Sequence, residues 1–246
     1  MRCPRIYTPQ SLASNADAPI ALDADAAHHV ARVLRMQSGD ALKLFNGDGA
    51  EYSASIVSVD KKSVYVAIES KSTIDRESPL AIHLGIAISK GERMDWVIQK
   101  ATELGVAEIT PLQTERVEVR LNNEREEKKL SHWQAIAIAA CEQSQRNRIP
   151  VIHSPQSLSN WLDSVQSDVK FVLHHRSEVN LAANAEKPQS VALLIGPEGG
   201  LSDSEITLAE KKSFAPLRLG PRVLRTETAP LAALSVLQFL WGDLQA

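Results

Sequence analysis

The sequence predicts an α/β protein in which a small β-rich domain precedes a larger domain built on a mostly parallel sheet. Two observations predict this class. Residues 41–68 contain closely spaced strand patterns around a strong turn signal, whereas from residue 81 onward apolar strands alternate with amphipathic helices. The polar, proline-ended stretch 70–79 separates the two patterns, so we expect one domain over residues 1–71 and a second over residues 72–246.

The β-rich domain is predicted from three strand patterns. Residues 41–45 and 51–59 flank Asn46–Gly49, which is typical of a tight hairpin turn, and residues 64–68 follow after a second polar turn. A short helix precedes them, and its N-terminal cap and apolar positions at helical spacing are Asp23, Val30, Val33 and Leu34. Together these elements predict a small β-barrel.

The larger domain is predicted from alternating strands and helices. The strands are expected at residues 81–89, 107–112, 169–173 and 191–195, and the helices at residues 92–104, 130–146 and 231–241. The helix at 92–104 has one apolar stripe and ends at Gly105, a residue type common just beyond the last turn of a helix. The helix at 231–241 is apolar nearly all round, so we expect it to be buried in the fold or in an oligomer interface.

The composition excludes several classes of protein. With 43% hydrophobic residues over 246 positions, the chain can bury a sizeable core. The 27 basic and 30 acidic residues give a formal net charge of -3, so any nucleic-acid contact must use a local basic patch. Only Cys3 and Cys141 are present, which excludes a disulfide framework and a paired zinc motif. There is no signal segment and no run of about 20 apolar residues, so we expect a cytoplasmic protein without membrane contact.

A glycine-rich loop follows the strand predicted at residues 191–195. Residues 194–200 read Leu-Ile-Gly-Pro-Glu-Gly-Gly and precede Ser202 and Glu205, which have the spacing of a capping box at a helix start. Glycines let the backbone approach a ligand closely, and α/β folds bind ligands at the carboxyl ends of parallel strands. A tight turn without a ligand is the alternative. The glycine spacing excludes the dinucleotide fingerprint and the phosphate-binding loop.

A second glycine-bearing loop, residues 219–229, joins another strand to the apolar last helix. Two such loops in one domain favour a ligand site over two unrelated turns. Arg222 and Arg225 suit phosphate or base recognition through their forked donors, with a salt bridge to Glu198 or Glu227 as the alternative. Capping of the last helix is an equally good interpretation of Glu227.

Six segments together resemble the signature of SPOUT-class RNA methyltransferases, and more narrowly that of the family that methylates N3 of a uridine in small-subunit (16S) ribosomal RNA. The segments are residues 29–35, 89–94, 99–105, 139–144, 195–200 and 219–229. The resemblance covers nearly the whole chain, because residues 29–35 are similar to the motif of the family's amino-terminal PUA-like RNA-binding domain.

The resemblance implies a trefoil knot in the second domain, a homodimer, and S-adenosylmethionine held by the knot loops. The general rule that chains do not thread loops would have excluded the knot. The substrate implied is small-subunit ribosomal RNA, either naked or within an assembled small subunit. Carried over by position, the cofactor-binding residues are Leu173, Ile195, Gly196, Pro197, Glu198, Gly199, Leu219, Gly220, Val223, Leu224, Thr228 and Ala229.

Methylation at uridine N3 requires loss of the N3 proton and stabilisation of the charge that spreads onto the flanking carbonyl oxygens. Arg225 is our candidate for that electrostatic role, with organisation of the knot as the alternative. Glu142 is a candidate base or base-orienting group. It lies four residues before Arg146 on a predicted helix, so an ion pair with that arginine is its alternative.

Basic residues in several segments are candidate RNA contacts, each with solvated surface or packing as its alternative. They are Arg5, His29, Arg32, Arg35, Lys90, Arg93, Arg146 and Arg222. The pairs His28–His29 and His174–His175 do not predict a metal site, because adjacent side chains on a strand point to opposite faces, and we expect no metal. Two other functions stay open: ribose 2'-hydroxyl methylation on the same fold, and dimeric RNA binding without catalysis.

Overall fold

The computed structural model describes residues 3–12, 18–60, 63–117, 123–174 and 187–245. The chain forms two compact units. The amino-terminal unit comprises residues 1–77 together with residues 141–149, and the carboxyl-terminal unit comprises residues 78–140 and 150–246. The inclusion of residues 141–149 in the first unit was not predicted from the sequence. The domain boundary after residue 71 stays a prediction.

The amino-terminal unit contains a five-stranded sheet in the order β1-β3-β4-β5-β2. Its strands are β1 (Arg5–Tyr7), β2 (Ile20–Ala21), β3 (Ala41–Phe45), β4 (Glu51–Val59) and β5 (Val64–Ser72). The predicted hairpin is confirmed: β3 and β4 pair antiparallel around the Asn46–Gly49 turn, in which Gly47 and Gly49 have φ of 88° and 93°. Among the described residues, an apolar cluster that includes Ile6, Leu44 and Tyr52 forms the core of this unit.

The short helix of this unit differs from the prediction. Helix α1 (Ala24–His28) begins as expected at Asp23, whose carboxylate accepts from the amides of Asp25 and Ala26. A π-helical turn, His29–Val33, then widens the chain, and the Leu34 amide donates to the carbonyl of His29 rather than to that of Val30. The regular α-helix predicted through Leu34 is therefore wrong beyond His28.

The carboxyl-terminal unit is built on a seven-stranded sheet in which all pairs are parallel, as predicted. The order is β12-β10-β11-β6-β7-β8, with β9 also paired to β7. The strands are β6 (Ala81–Ala87), β7 (Glu108–Gln113), β8 (Val151–Ile152), β9 (Gln156–Ser157), β10 (Val169–Leu173), β11 (Ser190–Ile195) and β12 (Ala215–Leu217).

Five further helices complete the described structure. They are α2 (Arg93–Glu103), α3 (Asn123–Ser144), α4 (Leu158–Ser164), α5 (Asp203–Lys211) and α6 (Thr228–Trp241). The apolar stripe of α2 is buried as predicted, and Gly105 follows the helix with φ of 78°. None of the described helices combines the length and the apolar character needed to span a bilayer.

Helix α4, which the sequence did not predict, covers one face of the parallel sheet. Its Trp161 is 1% exposed and lies against Gly85 of β6. A Cβ atom built on Gly85 would lie 2.5 Å from two ring carbons of Trp161, well inside van der Waals contact. The absence of a side chain at Gly85 therefore makes room for the indole ring.

Replacing Gly85 with alanine is expected to lower the free energy of unfolding by about 1–3 kcal/mol, because the added methyl group overpacks the site against Trp161. Urea unfolding of Gly85→Ala measures this loss. Combined with Trp161→Phe, the loss should be smaller than the sum of the two single losses. Strict additivity would contradict the contact.

Candidate functional site

A cavity of about 330 Å³ lies in the carboxyl-terminal unit, where β10, β11 and β12 end. It is lined by Arg116, Leu173, His174, Ile195, Gly196, Pro197, Glu198, Gly199, Gly200, Leu201, Asp203, Ile206, Leu217, Arg218, Leu219, Gly220, Arg222, Val223, Leu224, Thr226 and Ala229. Eleven of the twelve residues predicted to bind a cofactor therefore line one cavity, and Thr228 is the exception. The volume of the cavity falls within the range of small-molecule binding sites.

The loop after β11 requires its glycines. A Cβ atom on Gly196 would lie 2.8 Å from the backbone nitrogen of Leu201, and Gly200 has φ of 68°. The Gly200 amide donates to the carbonyl of Pro197, which closes the turn. This geometry exposes main chain to the cavity without side chains in between.

The predicted capping box fixes the end of this loop. The Glu205 amide donates to Oγ of Ser202, and Oε2 of Glu205 accepts from the Ser202 amide at 2.9 Å. Oε1 of Glu205 accepts from the amide of Glu115 at 2.8 Å, so the buried carboxylate joins the start of α5 to the segment that follows β7.

Arg116, which the sequence did not single out, supports the same loop from the other side. Its Nη1 donates to the carbonyl oxygens of Gly199 at 2.7 Å and of Leu201 at 3.3 Å. It lies three residues beyond the end of β7, at the carboxyl edge of the sheet. The position of Arg116 just after a predicted strand could have identified it from the sequence, because all parallel strands of the sheet end at the same edge.

Arg93 joins the two glycine-bearing loops. Its Nη1 lies 2.6 Å from Oε1 of Glu198 in the first loop, and its Nε lies 3.8 Å from Oε2 of Glu227 in the second. Burial alone would raise the pKa of Glu198, but the amides of Glu198 and Lys90 and the Arg93 guanidinium outweigh it and lower that pKa. Glu198 and Glu227, the two predicted salt-bridge partners of the arginines in the second loop, therefore both pair with Arg93. Arg93 was itself predicted to contact RNA.

The second loop ends at the start of α6. The carbonyl of Arg225 accepts from the amides of Thr228 and Ala229, both at 2.9 Å. Glu227 occupies the N-cap position, but its side chain makes no capping hydrogen bond, so the capping interpretation of that residue is wrong. The side chain of Arg225 is exposed next to the cavity-lining residues Leu224 and Thr226 without lining the cavity itself.

Glu142, a predicted catalytic residue, belongs to the amino-terminal unit. Its Oε1 accepts from the Tyr7 amide at 3.0 Å, and its Oε2 lies 3.9 Å from Nδ1 of His29. Burial raises the pKa of this carboxyl group, although the Tyr7 amide, His29 and Arg5 act in the opposite direction. The carboxylate is therefore placed to orient these neighbours.

Two of the predicted RNA contacts are buried within the amino-terminal unit. Arg146 is 5% exposed and its Nη2 lies 2.5 Å from Oε2 of Glu77, which replaces the Glu142–Arg146 pair considered from the sequence. Arg5 pairs with Glu51, and its Nη2 donates to Oδ1 of Asn147 at 2.8 Å. Both guanidinium groups hold the unit together.

The other predicted RNA contacts are more accessible. Arg32, Arg35, Lys90 and Arg222 are exposed, and the side chain of His29 is 36% exposed. Arg222 also lines the cavity.

Three residues at the opposite end of the parallel sheet lie within metal-binding distance of one another: His83, Glu108 and His153. Nε2 of His83 accepts a hydrogen bond from the indole of Trp161, so its Nδ1 carries the proton and faces Glu108 Oε2 at 3.7 Å. Burial lowers the pKa of His83 to about 4. A protonated Nδ1 has no lone pair for an ion, and His153 donates to the same carboxylate at 2.7 Å. The hydrogen bonds from Trp161 to His83 and from His153 to Glu108 therefore account for the arrangement of this group. Of the His174–His175 pair, only His174 belongs to the described residues.

Two family models match the chain. Residues 76–238 match an RNA methyltransferase domain, and residues 22–69 match an RNA methyltransferase PUA domain. The chain belongs to the RNA methyltransferase family. The α/β architecture and the amino-terminal PUA domain expected from the resemblance are confirmed with it.

Relatives of this RNA methyltransferase share most of its length. It is 39% identical to the ribosomal RNA small subunit methyltransferase E of Buchnera aphidicola from Schizaphis graminum, over 99% of this chain and 98% of the relative. The protein of the same name from Bacillus subtilis is 34% identical over 86% of each chain.

Two solved structures resemble the RNA methyltransferase over nearly its whole length. One is a ribosomal RNA small subunit methyltransferase E from Neisseria gonorrhoeae bound to S-adenosyl methionine, with a TM-score of 0.91, 36% identity, and coverage of 99% of this chain and 100% of the other. The second, from Legionella pneumophila, is described as a methyltransferase in complex with the bound cofactor SAM. It has a TM-score of 0.93, 48% identity and the same coverage.

The raised pKa of Glu142 predicts a pH dependence of stability. The folded protein holds this proton more tightly than the unfolded chain, so the free energy of unfolding should fall as pH rises from the ordinary glutamate pKa through the raised folded value. In Glu142→Gln this part of the decline should be absent. Urea unfolding of both proteins between about pH 4 and pH 7 measures it, and parallel curves would contradict the assignment.

Proposed function

We propose that this protein transfers the methyl group of S-adenosylmethionine to N3 of a uridine in small-subunit ribosomal RNA. The observation that carries the proposal is the cavity formed by the two glycine-bearing loops, in a chain whose full-length structural relatives hold S-adenosylmethionine. Curated relatives at 39% and 34% identity are named small-subunit ribosomal RNA methyltransferases. The choice of uridine N3 is supported by the motif resemblance of residues 195–200 and 219–229.

The walls of the cavity suit such a cofactor. Aliphatic side chains, which can enclose an adenine ring, are contributed by Leu173, Ile195, Leu217, Leu219, Val223 and Leu224. Charged groups that can meet the carboxylate and ammonium of an amino-acid moiety are those of Arg116 and Glu198. The main chain of the glycine loop supplies further donors and acceptors. When bound, the cofactor supplies a methyl group on a positively charged sulfur.

The remaining chemistry belongs to the protein. Methyl transfer needs an aligned nucleophile, so the rigid loops contribute mainly positioning. The N3 proton passes to solvent water, which leaves negative charge on the two neighbouring carbonyl oxygens until the methyl group is transferred to N3. We assign the stabilisation of that charge to the exposed guanidinium of Arg225. For Glu142, the contacts with Tyr7 and His29 favour an orienting role.

Further parts of the proposal follow from the same family membership. Residues 1–71 bind RNA, and residues 72–246 form the methyltransferase domain with a trefoil knot, which acts as a homodimer in the cytoplasm. RNA contacts are assigned to the exposed residues His29, Arg32, Arg35, Lys90 and Arg222.

Mass mapping of small-subunit ribosomal RNA from cells that lack the protein tests the function. One N3-methyluridine should be absent, and the purified protein should restore it. If a ribose 2'-O-methyl group is missing instead, the target atom is a ribose oxygen and the assignment to N3 is wrong. The absence of thermal stabilisation by S-adenosylmethionine would favour RNA binding without catalysis.

Arg225→Ala is expected to lower kcat about 100-fold or more, because one preorganised charge partner of the developing oxyanion is lost. The affinity for S-adenosylmethionine, measured by calorimetry, should stay within about twofold, since the Arg225 side chain does not line the cavity. Arg222→Ala is the matched control, and it should raise KM for RNA while leaving kcat nearly unchanged. Full activity of Arg225→Ala with intact cofactor binding would refute the role.

The homodimer is supported by an uncovered apolar face on α6. Leu234, Leu237 and Trp241 are buried, whereas Val236, Phe239 and Leu240 are 38%, 54% and 37% exposed. The three exposed residues are spaced three and four positions apart and share one face of the helix. A second copy of this face is the occupant we propose.

Phe239→Lys should therefore convert the protein from dimer to monomer in sedimentation velocity, because a charge would be buried at a self-complementary interface. The control is Val57→Lys, which changes a 42% exposed residue of the amino-terminal unit and should leave the dimer intact. A dimer that survives Phe239→Lys would place the interface elsewhere.

A further inference from the structure

The turn after helix α1 presents two aliphatic side chains to solvent. Val33 and Leu34 are 61% and 39% exposed, although Val30 and Met36 on either side are buried. Arg32 and Arg35 flank the exposed pair, and both are exposed as well. Residues 28–36 contain no acidic residue. The result is a small apolar tip between two cationic side chains.

The backbone is strained in order to form this tip. Arg35 has φ of 54°, a left-handed conformation that side chains other than glycine rarely adopt. It occupies the position just beyond a helical turn where glycine is the common residue. The Met36 amide then donates to the carbonyl of Val30 at 3.1 Å, which returns the chain to the core. Strain of this kind persists where surrounding structure enforces it, and it is frequent at binding sites.

The chemistry of the tip matches RNA better than a protein surface. Guanidinium groups bind phosphates, and small aliphatic side chains can pack against base faces where a stack is opened. Structured RNA offers both features together in its loops and bulges, whose bases are splayed from the helix. A segment that carries two exposed arginines and no acidic residue between positions 28 and 36 is complementary to a polyanion.

We propose that Val33 and Leu34 pack against the base faces of a locally unstacked segment of the RNA, while Arg32 and Arg35 contact the phosphates on either side. This inference rests on the proposed function and adds the mode of RNA recognition. On this proposal, the affinity of the amino-terminal unit for RNA comes from an apolar contact with bases as well as from ionic contacts with phosphates.

The test measures binding to naked small-subunit ribosomal RNA, prepared from cells lacking the protein, at several salt concentrations. The double variant Val33→Ser/Leu34→Ser should bind about tenfold more weakly at every salt concentration, with an unchanged slope of log K against log salt. Arg32→Ala should reduce the magnitude of that slope by about 1, which is the change expected when one phosphate contact is lost. Ile74→Ser is the matched control, because it changes a 52% exposed isoleucine of the same unit and should bind like wild type.

Arg35→Gly separates recognition from folding. Glycine relieves the left-handed strain, so the Tm of this variant should equal or exceed that of wild type, whereas its RNA affinity and salt slope should fall. A lowered Tm with unchanged RNA binding would show that Arg35 serves the fold and would overturn its assignment.

Three outcomes distinguish the failures. Wild-type affinity in the serine double variant overturns the apolar contact but leaves the methyltransferase proposal intact. A changed sedimentation coefficient in that variant shows that a second copy covers the tip, which also overturns it. No binding of the wild-type protein to small-subunit RNA or to assembled subunits overturns the proposed function itself.

Discussion

The parallel alignment of β10, β11 and β12 is the constraint on which the candidate site depends. Leu173 and Leu217 are register partners across β10 and β12, and Val172 pairs with Leu194 across β10 and β11. Because neighbouring strands run in the same direction and end level with one another, the loops that follow them start side by side. The position of the cavity is therefore determined by the register of the strands rather than by any one side chain.

Glycine-rich loops at such an edge need support from outside. Glycines contribute no side chains of their own to packing and lose more backbone freedom on folding than other residues. Arg116 and Glu205 supply hydrogen bonds that hold the first loop, and Arg93 connects it to the second. The Arg93–Glu198 pair is about 40% exposed on both sides, so it contributes at most about 1 kcal/mol to stability. Its importance lies in the relative placement of the two loops.

Much of this architecture could be predicted from local sequence. The Asn46–Gly49 hairpin, the parallel sheet and the capping box at Ser202 each follow from patterns within a few residues, where backbone geometry restricts the residue types. The elements that escaped prediction are short: α4 has seven residues and β9 two. Such segments are too brief to show a period, and only their packing in the folded chain stabilises them.

The partners of the charged residues could not be predicted in the same way, because they lie far apart along the chain. Arg93 meets a carboxylate 105 positions away, and Arg5 meets an amide oxygen 142 positions away. Sequence alone treated Arg5, Arg146, Arg32 and Arg35 as equivalent. Burial separates them: moving Arg5 or Arg146 toward a phosphate would break its ion pair with Glu51 or Glu77 inside the protein, and breaking a buried pair is strongly destabilising. Arg32 and Arg35 carry no such cost, since their side chains are already in solvent. Among the arginines of the amino-terminal unit predicted to contact RNA, Arg32 and Arg35 are thus the two whose exposed side chains can reach a phosphate without breaking an internal ion pair.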